Sequence, residues 1–150
     1  MQKNLKIILL VALVFIFSCK KKKNSSITNP NQVNVRVDIY IYKSSPEFFD
    51  LLVVGGSIYK AGGVSGIIIY RVAQNETNGD FVAFERNCPY EGGTNTKAIV
   101  KIQSDKITAK DTICGSKFYI TNGSVINGPS AYPLKAYNTT YDGSVLHIYN

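Results

Sequence analysis

Strict alternation of apolar and polar residues opens the folded part of the chain. In "VNVRVDIYIY", Val33, Val35, Val37, Ile39 and Ile41 share one face, and Asn34, Arg36, Asp38, Tyr40 and Tyr42 share the other. That is the period of a half-buried β-strand over Val33–Tyr42. "SSPEFFDLLVV" follows, and its proline predicts a loop leading into a short strand. "GGSIYKAGGVSG" holds five glycines in twelve residues, which predicts tight turns around a short strand at Ser57–Lys60. "IIIYRVA", Ile67–Ala73, reads as a β-branched strand, and the Asn-Gly of "QNETNGD" as a hairpin turn into "FVAFER". "KAIVKIQ" and "KITAKD" alternate as two short strands. "SKFYIT", "NG" and "SVING" read as a hairpin, and "PLKAYNTTYDGSVLHIYN" as two strands joined through Asp142-Gly143. No segment repeats apolar residues at i, i+3, i+4 and i+7. The domain is therefore expected to be all-β with no large helix, an antiparallel sandwich or small barrel. Seven Phe and ten Tyr with no Trp suit its core as packing residues.

The N-terminus follows a different pattern. After Lys3 and Lys6, Ile7 to Phe17 is an unbroken apolar run of eleven residues. It is short for a membrane span and right for a signal-peptide core. It ends in "IFSC", Ile16–Cys19, which resembles the lipobox of bacterial lipoproteins. That resemblance implies a signal peptide over 1–18, cleavage before Cys19, and lipid on Cys19. An ordinary N-terminal anchor helix fits the run's length and its terminal Cys less well. The chain carries 17 Lys and Arg against 10 Asp and Glu; setting aside Lys3, Lys6 and the run Lys20–Lys23 leaves 11 against 10. The basicity belongs to the tether. Four lysines beside a lipid would attract anionic headgroups at about 1 kcal/mol each, or serve as a solvated spacer; the two roles are compatible. Nothing supports a nucleic-acid groove. Residues 19–31 read as lipidated Cys and basic linker, and 32–150 as the β domain. The expected address is the bacterial cell envelope, lipid-anchored, periplasmic or surface-facing.

From about Pro46 to His147 the order of features resembles a Rieske-type [2Fe-2S] domain. "GGSIYKAGGVSGIIIYRV" is similar to the family's opening turns and hairpin, and "GDFVAFERNCPYEGG" to the strand and first cluster loop, Cys-x-His-x-Gly. "DTICGSKFYITNGSVINGPSAYPLKAY" is similar to the second loop and the hairpin beyond it, Cys-x-x-His-Gly-Ser-x-Phe onward. Gly115, Ser116, Phe118, Gly123, Val125, Gly128, Pro129, Pro133 and Leu134 match that pattern. The resemblance implies a Rieske-like β-sandwich with two loops facing one site. A Rieske cluster takes two Cys on one iron and two His on the other. Here Cys88 keeps the first Cys position, while Tyr90 holds the first His position, Asp111 the second Cys position and Cys114 the second His position. The only His of the chain, His147, lies in neither loop and reads as an ordinary exposed side chain. Ligand count alone thus excludes the family's cofactor, and no cofactor or metal is expected.

The resemblance also places Cys88 and Cys114 on facing loops. With Cys19 lipidated, they are the two remaining thiols, outside the reducing cytosol. A Cys88–Cys114 disulfide is the expectation that follows, closing a loop of about 27 residues and contributing roughly 3–4 kcal/mol. Free buried cysteines acting as small hydrophobes are the plain alternative. Further alternatives are a mononuclear metal site of Cys88, Tyr90, Asp111 and Cys114, and a cycling redox bond near Arg86 and Lys117. Both rank below the disulfide: no His is available, and the spacing is not Cys-x-x-Cys. Glu85 and Glu91 flank the first loop and read as solvated charges. No Ser-His-Asp triad or phosphate loop has sequence support. The expected role is a non-enzymatic, membrane-anchored binding or structural module, its protein or small-molecule partner unspecified. A Rieske-type electron-transfer protein is the alternative, which the fold alone does not exclude.

Overall fold

The computed structural model describes Asn29 and residues 32–150. The expected signal segment 1–18, Cys19, Lys20–Lys23 and the rest of the linker lie outside the described residues. No helix among the described residues is long and apolar enough to cross a membrane.

The architecture is all-β, as the alternation predicts. The strands are β1 (Asp38–Tyr42), β2 (Ser57–Lys60), β3 (Ile67–Arg71), β4 (Phe81–Glu85), β5 (Val100–Ile102), β6 (Thr108–Asp111), β7 (Lys117–Tyr119), β8 (Val125–Asn127), β9 (Ala136–Tyr141) and β10 (Val145–Tyr149). They form a six-stranded sheet, β1-β10-β9-β4-β3-β2, and a four-stranded sheet, β5-β6-β7-β8. Every pairing is antiparallel.

Two elements differ from expectation. The first strand begins at Asp38 rather than Val33, because its partner β10 ends at Tyr149, opposite Asp38. Val33 and Val35 are exposed, while Val37 and Ile41 are buried. The segment after Pro46 is a 3-10 helix, Pro46–Leu51, and not a strand. Proline suits a first helical position, and Phe48 and Leu51, three apart, both point into the core.

Strand β3 explains the layering. All five of its residues are buried, so it reads as a continuous apolar run rather than an alternating one. Ile67 and Ile69 join Phe81, Ala83, Tyr137, Leu146 and Ile148 in one core. Ile68 and Tyr70 face the other way and join Phe84, Ala98, Val100, Phe118, Ile120 and Leu134 in a second. The β3–β4 pair is the wall shared by both cores. Cys88, three residues beyond β4, belongs to the second core.

Glu85 fixes the end of that wall. The sequence reads it as a solvated charge, but it is 1% exposed. Its carboxylate accepts from the Val64 N–H (2.7 Å), the Ser65 N–H (3.0 Å), the Asn87 N–H (2.9 Å) and the Tyr137 hydroxyl (2.8 Å). The turn before β3 folds over it so closely that a Cβ on Gly63, at φ +61°, would collide with the carboxylate. Donors from a distant turn, the first loop and β9 thereby converge on one group and set where that loop begins.

Burial, reinforced by the hydrogen bond to Glu85, pushes the Tyr137 phenol well above its ordinary value of 10.0. Above about pH 10 the unfolded chain therefore loses a proton that the folded chain keeps. The unfolded state then binds fewer protons, and stability falls as pH rises, by up to ~1.4 kcal/mol per pH unit. Urea unfolding between about pH 9 and 11 should show this decline. Tyr137→Phe should reduce the slope, leaving the contributions of Tyr141 and of the Cys88 thiol, both raised chiefly by burial; an unchanged slope would contradict the assignment.

Candidate functional site

The first loop is closed by the backbone. The Cys88 N–H donates to the Ala98 carbonyl (2.9 Å), Asn87 pairs with Ile99, and the Asn87 side-chain amide donates to the Asn95 carbonyl (2.8 Å). Inside the loop the Cys88 carbonyl accepts from the Glu91 N–H (3.0 Å). The second loop is a tight turn between β6 and β7. The Gly115 N–H donates to the Asp111 carbonyl (3.0 Å), and the Asp111 N–H to the Ser116 carbonyl (3.0 Å). Gly115 sits at φ +81°, a conformation side chains disfavour. The Gly-Ser of the sequence motif thus has a backbone reason. Ser116 also ties in the next segment, its hydroxyl accepting from the Ser130 N–H (2.9 Å).

The turn carries Asp111 and Cys114 to Cys88. The two sulfurs lie 3.4 Å apart. The Cys114 thiol donates to Asp111 Oδ2 (3.0 Å), and its sulfur is 3.0 Å from the Ser116 hydroxyl. Asp111 Oδ1 accepts from the Ile113 N–H (2.9 Å). The ligand atoms of Cys88, Asp111 and Cys114 all fall within 4.8 Å of one another. Cys88 and Asp111 are fully buried, and Cys114 is half-buried. Burial, and then the neighbouring Cys114 sulfur and Asp111 carboxylate, push the Cys88 thiol well above its ordinary value, against a hydrogen bond from the Tyr90 backbone.

The expected disulfide is not formed: both cysteines are free thiols. Their 3.4 Å separation is well beyond the ~2.05 Å of a bond. Asp111 and Ser116 hold the Cys114 sulfur where it touches Cys88 without bonding to it. Tyr90, the fourth position that the resemblance singles out, is 56% exposed. Arg86 and Lys117 do not serve the thiols either. The Arg86 guanidinium lies 4.1 Å over the Tyr59 ring, and Lys117 is exposed.

His147 is not a plain exposed side chain. It is half-buried in β10, with Nε2 2.8 Å from Asp38 Oδ1 and its ring stacked on Tyr40 and Tyr149. Beside the first loop lies an open cleft of about 520 Å³, lined among others by Pro89, Tyr90, Glu91, Pro129 and Tyr132. The Asn29 side-chain amide donates to the Pro89 carbonyl (2.6 Å), so the described part of the tether reaches the domain at this loop.

A [2Fe-2S] centre does not fit these residues. It needs four ligands, two to each iron. Three donor side chains converge here, neither loop offers an imidazole, and the chain's one histidine is held by Asp38.

No protein-family model matches the chain, and no curated protein matches it in sequence. Solved structures align with it, among them the two that follow. The ferredoxin of carbazole 1,9a-dioxygenase from Nocardioides aromaticivorans IC177 is 13% identical, over 77% of this chain and 97% of its own, with a TM-score of 0.47. A protein described as an NADH-dependent nitrite reductase small subunit from Mycobacterium tuberculosis is 15% identical, over 78% of this chain and 97% of its own, with a TM-score of 0.44. At that level of similarity neither structure bears on what this chain does.

The site geometry predicts unequal thiols. In folded, reduced protein, iodoacetamide should label Cys114 at least about tenfold faster than Cys88, whose modification awaits local opening. Peptide mapping reads the result, and denaturant should equalise the two. Equal labelling in the folded chain would contradict the burial of Cys88.

Proposed function

We propose that this protein is a lipid-anchored module of the bacterial cell envelope. Its Rieske-like domain has no competent [2Fe-2S] site and acts by binding or as structure, not by catalysis. One observation carries the second half of this reading. The two loops converge on two thiols and a carboxylate with no imidazole, a donor set that cannot complete a two-iron centre. The first half rests on the sequence: the apolar run Ile7–Phe17, the lipobox-like "IFSC", and the lysines that follow Cys19. Asn29 packs against Pro89, which is consistent with a tether that leaves the domain at the end bearing the thiols. Lipid on Cys19 and the basic run beside it would then hold that end toward the headgroups.

Two measurements test the halves separately. Protein purified from its native envelope should contain no acid-labile sulfide and give no paramagnetic signal of a reduced two-iron centre. Either signal would restore the electron-transfer reading. Cys19→Ser should shift the protein from the membrane pellet to the soluble fraction, and continued sedimentation with membranes would overturn the anchor.

A further inference from the structure

We propose that Cys88, Asp111 and Cys114 form a binding site for one thiophilic divalent cation of the zinc class. The disagreement between this pocket and a two-iron centre motivates the inference. Counting imidazoles excludes a cluster; it does not exclude a single ion.

Three observations point to a cation. The first is distance. Around a tetrahedral ion with metal–sulfur bonds of about 2.3 Å and metal–oxygen bonds of about 2.1 Å, two sulfurs sit about 3.8 Å apart and a sulfur and an oxygen about 3.6 Å. The observed 3.4 Å between sulfurs and 3.0 Å from Cys114 Sγ to Asp111 Oδ2 need only open by roughly half an ångström. The second is charge. Asp111 is fully buried at the edge of an apolar core, and among the described residues it makes no ion pair. Asp80, the other fully buried aspartate, has Arg71 beside it. Among the described residues, Asp111 Oδ2 accepts from a thiol, a weak donor. A cation between the carboxylate and the sulfurs would supply the missing compensation. The third is support. Ser116, fully buried, contacts the Cys114 sulfur through its hydroxyl and is itself anchored by the Ser130 N–H. Ligand sites are commonly held by such outer partners.

Two thiolates and a carboxylate make a soft, anionic set suited to zinc and unsuited to magnesium or calcium. On binding, Cys88 and Cys114 each release a proton to solvent, two metal–sulfur bonds and one metal–oxygen bond form, and bound waters leave. No electron is transferred. Three protein donors leave the fourth position of a tetrahedral ion to water or a small ligand. The inference stands whether or not Cys19 carries lipid.

The test uses the full chain with Cys19→Ser, so that Cys88 and Cys114 are the only thiols, kept reduced and anaerobic. Titration with Co²⁺ should saturate at one ion per chain, produce thiolate-to-cobalt charge-transfer absorption with tetrahedral ligand-field bands, and reverse on adding Zn²⁺. Cys114→Ser should weaken Co²⁺ binding by about 100-fold or more. Asp111→Asn, nearly isosteric and checked for fold by circular dichroism, should weaken it and alter the ligand-field bands. Four results would overturn the proposal: no charge-transfer band at saturating Co²⁺, binding indifferent to both substitutions, two irons with labile sulfide in protein from the envelope, or a Cys88–Cys114 disulfide in anaerobically isolated protein.

Discussion

The molecule's organisation depends on the double burial of the β3–β4 wall. Ile67 and Ile69 on one side and Ile68 and Tyr70 on the other commit this wall to two cores at once. A strand filled on both faces has no register in which it can slip without exposing an apolar row. The chain leaving β4 therefore enters the second core at a fixed place, and Cys88 arrives there fully buried. Glu85 completes the constraint by gathering donors from the turn before β3, from Asn87 and from Tyr137. Removing that acceptor would leave several buried donors unpaired, at about 1–3 kcal/mol each.

From that fixed point the second loop is positioned by packing and not by covalent linkage. Ala109 and Phe118, on the strands flanking the turn, are in the same core as Cys88. The β6–β7 turn is thereby placed over the first loop, and Gly115 lets it close within a few residues. Asp111 and Cys114 meet the buried thiol because their strand ends do. The scaffold brings Cys88, Asp111 and Cys114 together, although this donor set does not suit an iron-sulfur cluster. This separation of frame from chemistry is why fold alone does not assign function.

Much of the frame was legible in the sequence. The hairpins announce themselves through Asn122-Gly123 and Asp142-Gly143 between alternating segments, and β10 shows a clean buried-and-half-buried alternation. The extent of β1 was not legible, because a strand is only as long as its partner, and β10 ends early. The 3-10 helix at Pro46–Leu51 escaped because six residues with apolar positions three apart resemble a short strand as much as a turn of helix. Glu85 and His147 were misread for one reason. Their partners, Tyr137 and Asp38, lie 52 and 109 positions away, and no local pattern announces a pairing at that range. At the site, the resemblance marked Cys88, Asp111 and Cys114 as positions of interest. It could not show that Tyr90 turns outward, nor that Asp111 and Ser116 hold the Cys114 sulfur short of bonding.

The loop ends carry a compact trio of donors, Cys88, Asp111 and Cys114, proposed above to take a single ion. The most direct measurement is X-ray absorption at the metal edge of the zinc-loaded, reduced chain. The account predicts two sulfur scatterers at about 2.3 Å, lighter scatterers at about 2.0–2.2 Å, and no metal–metal vector. A metal–metal vector, or a first shell without sulfur, would contradict it.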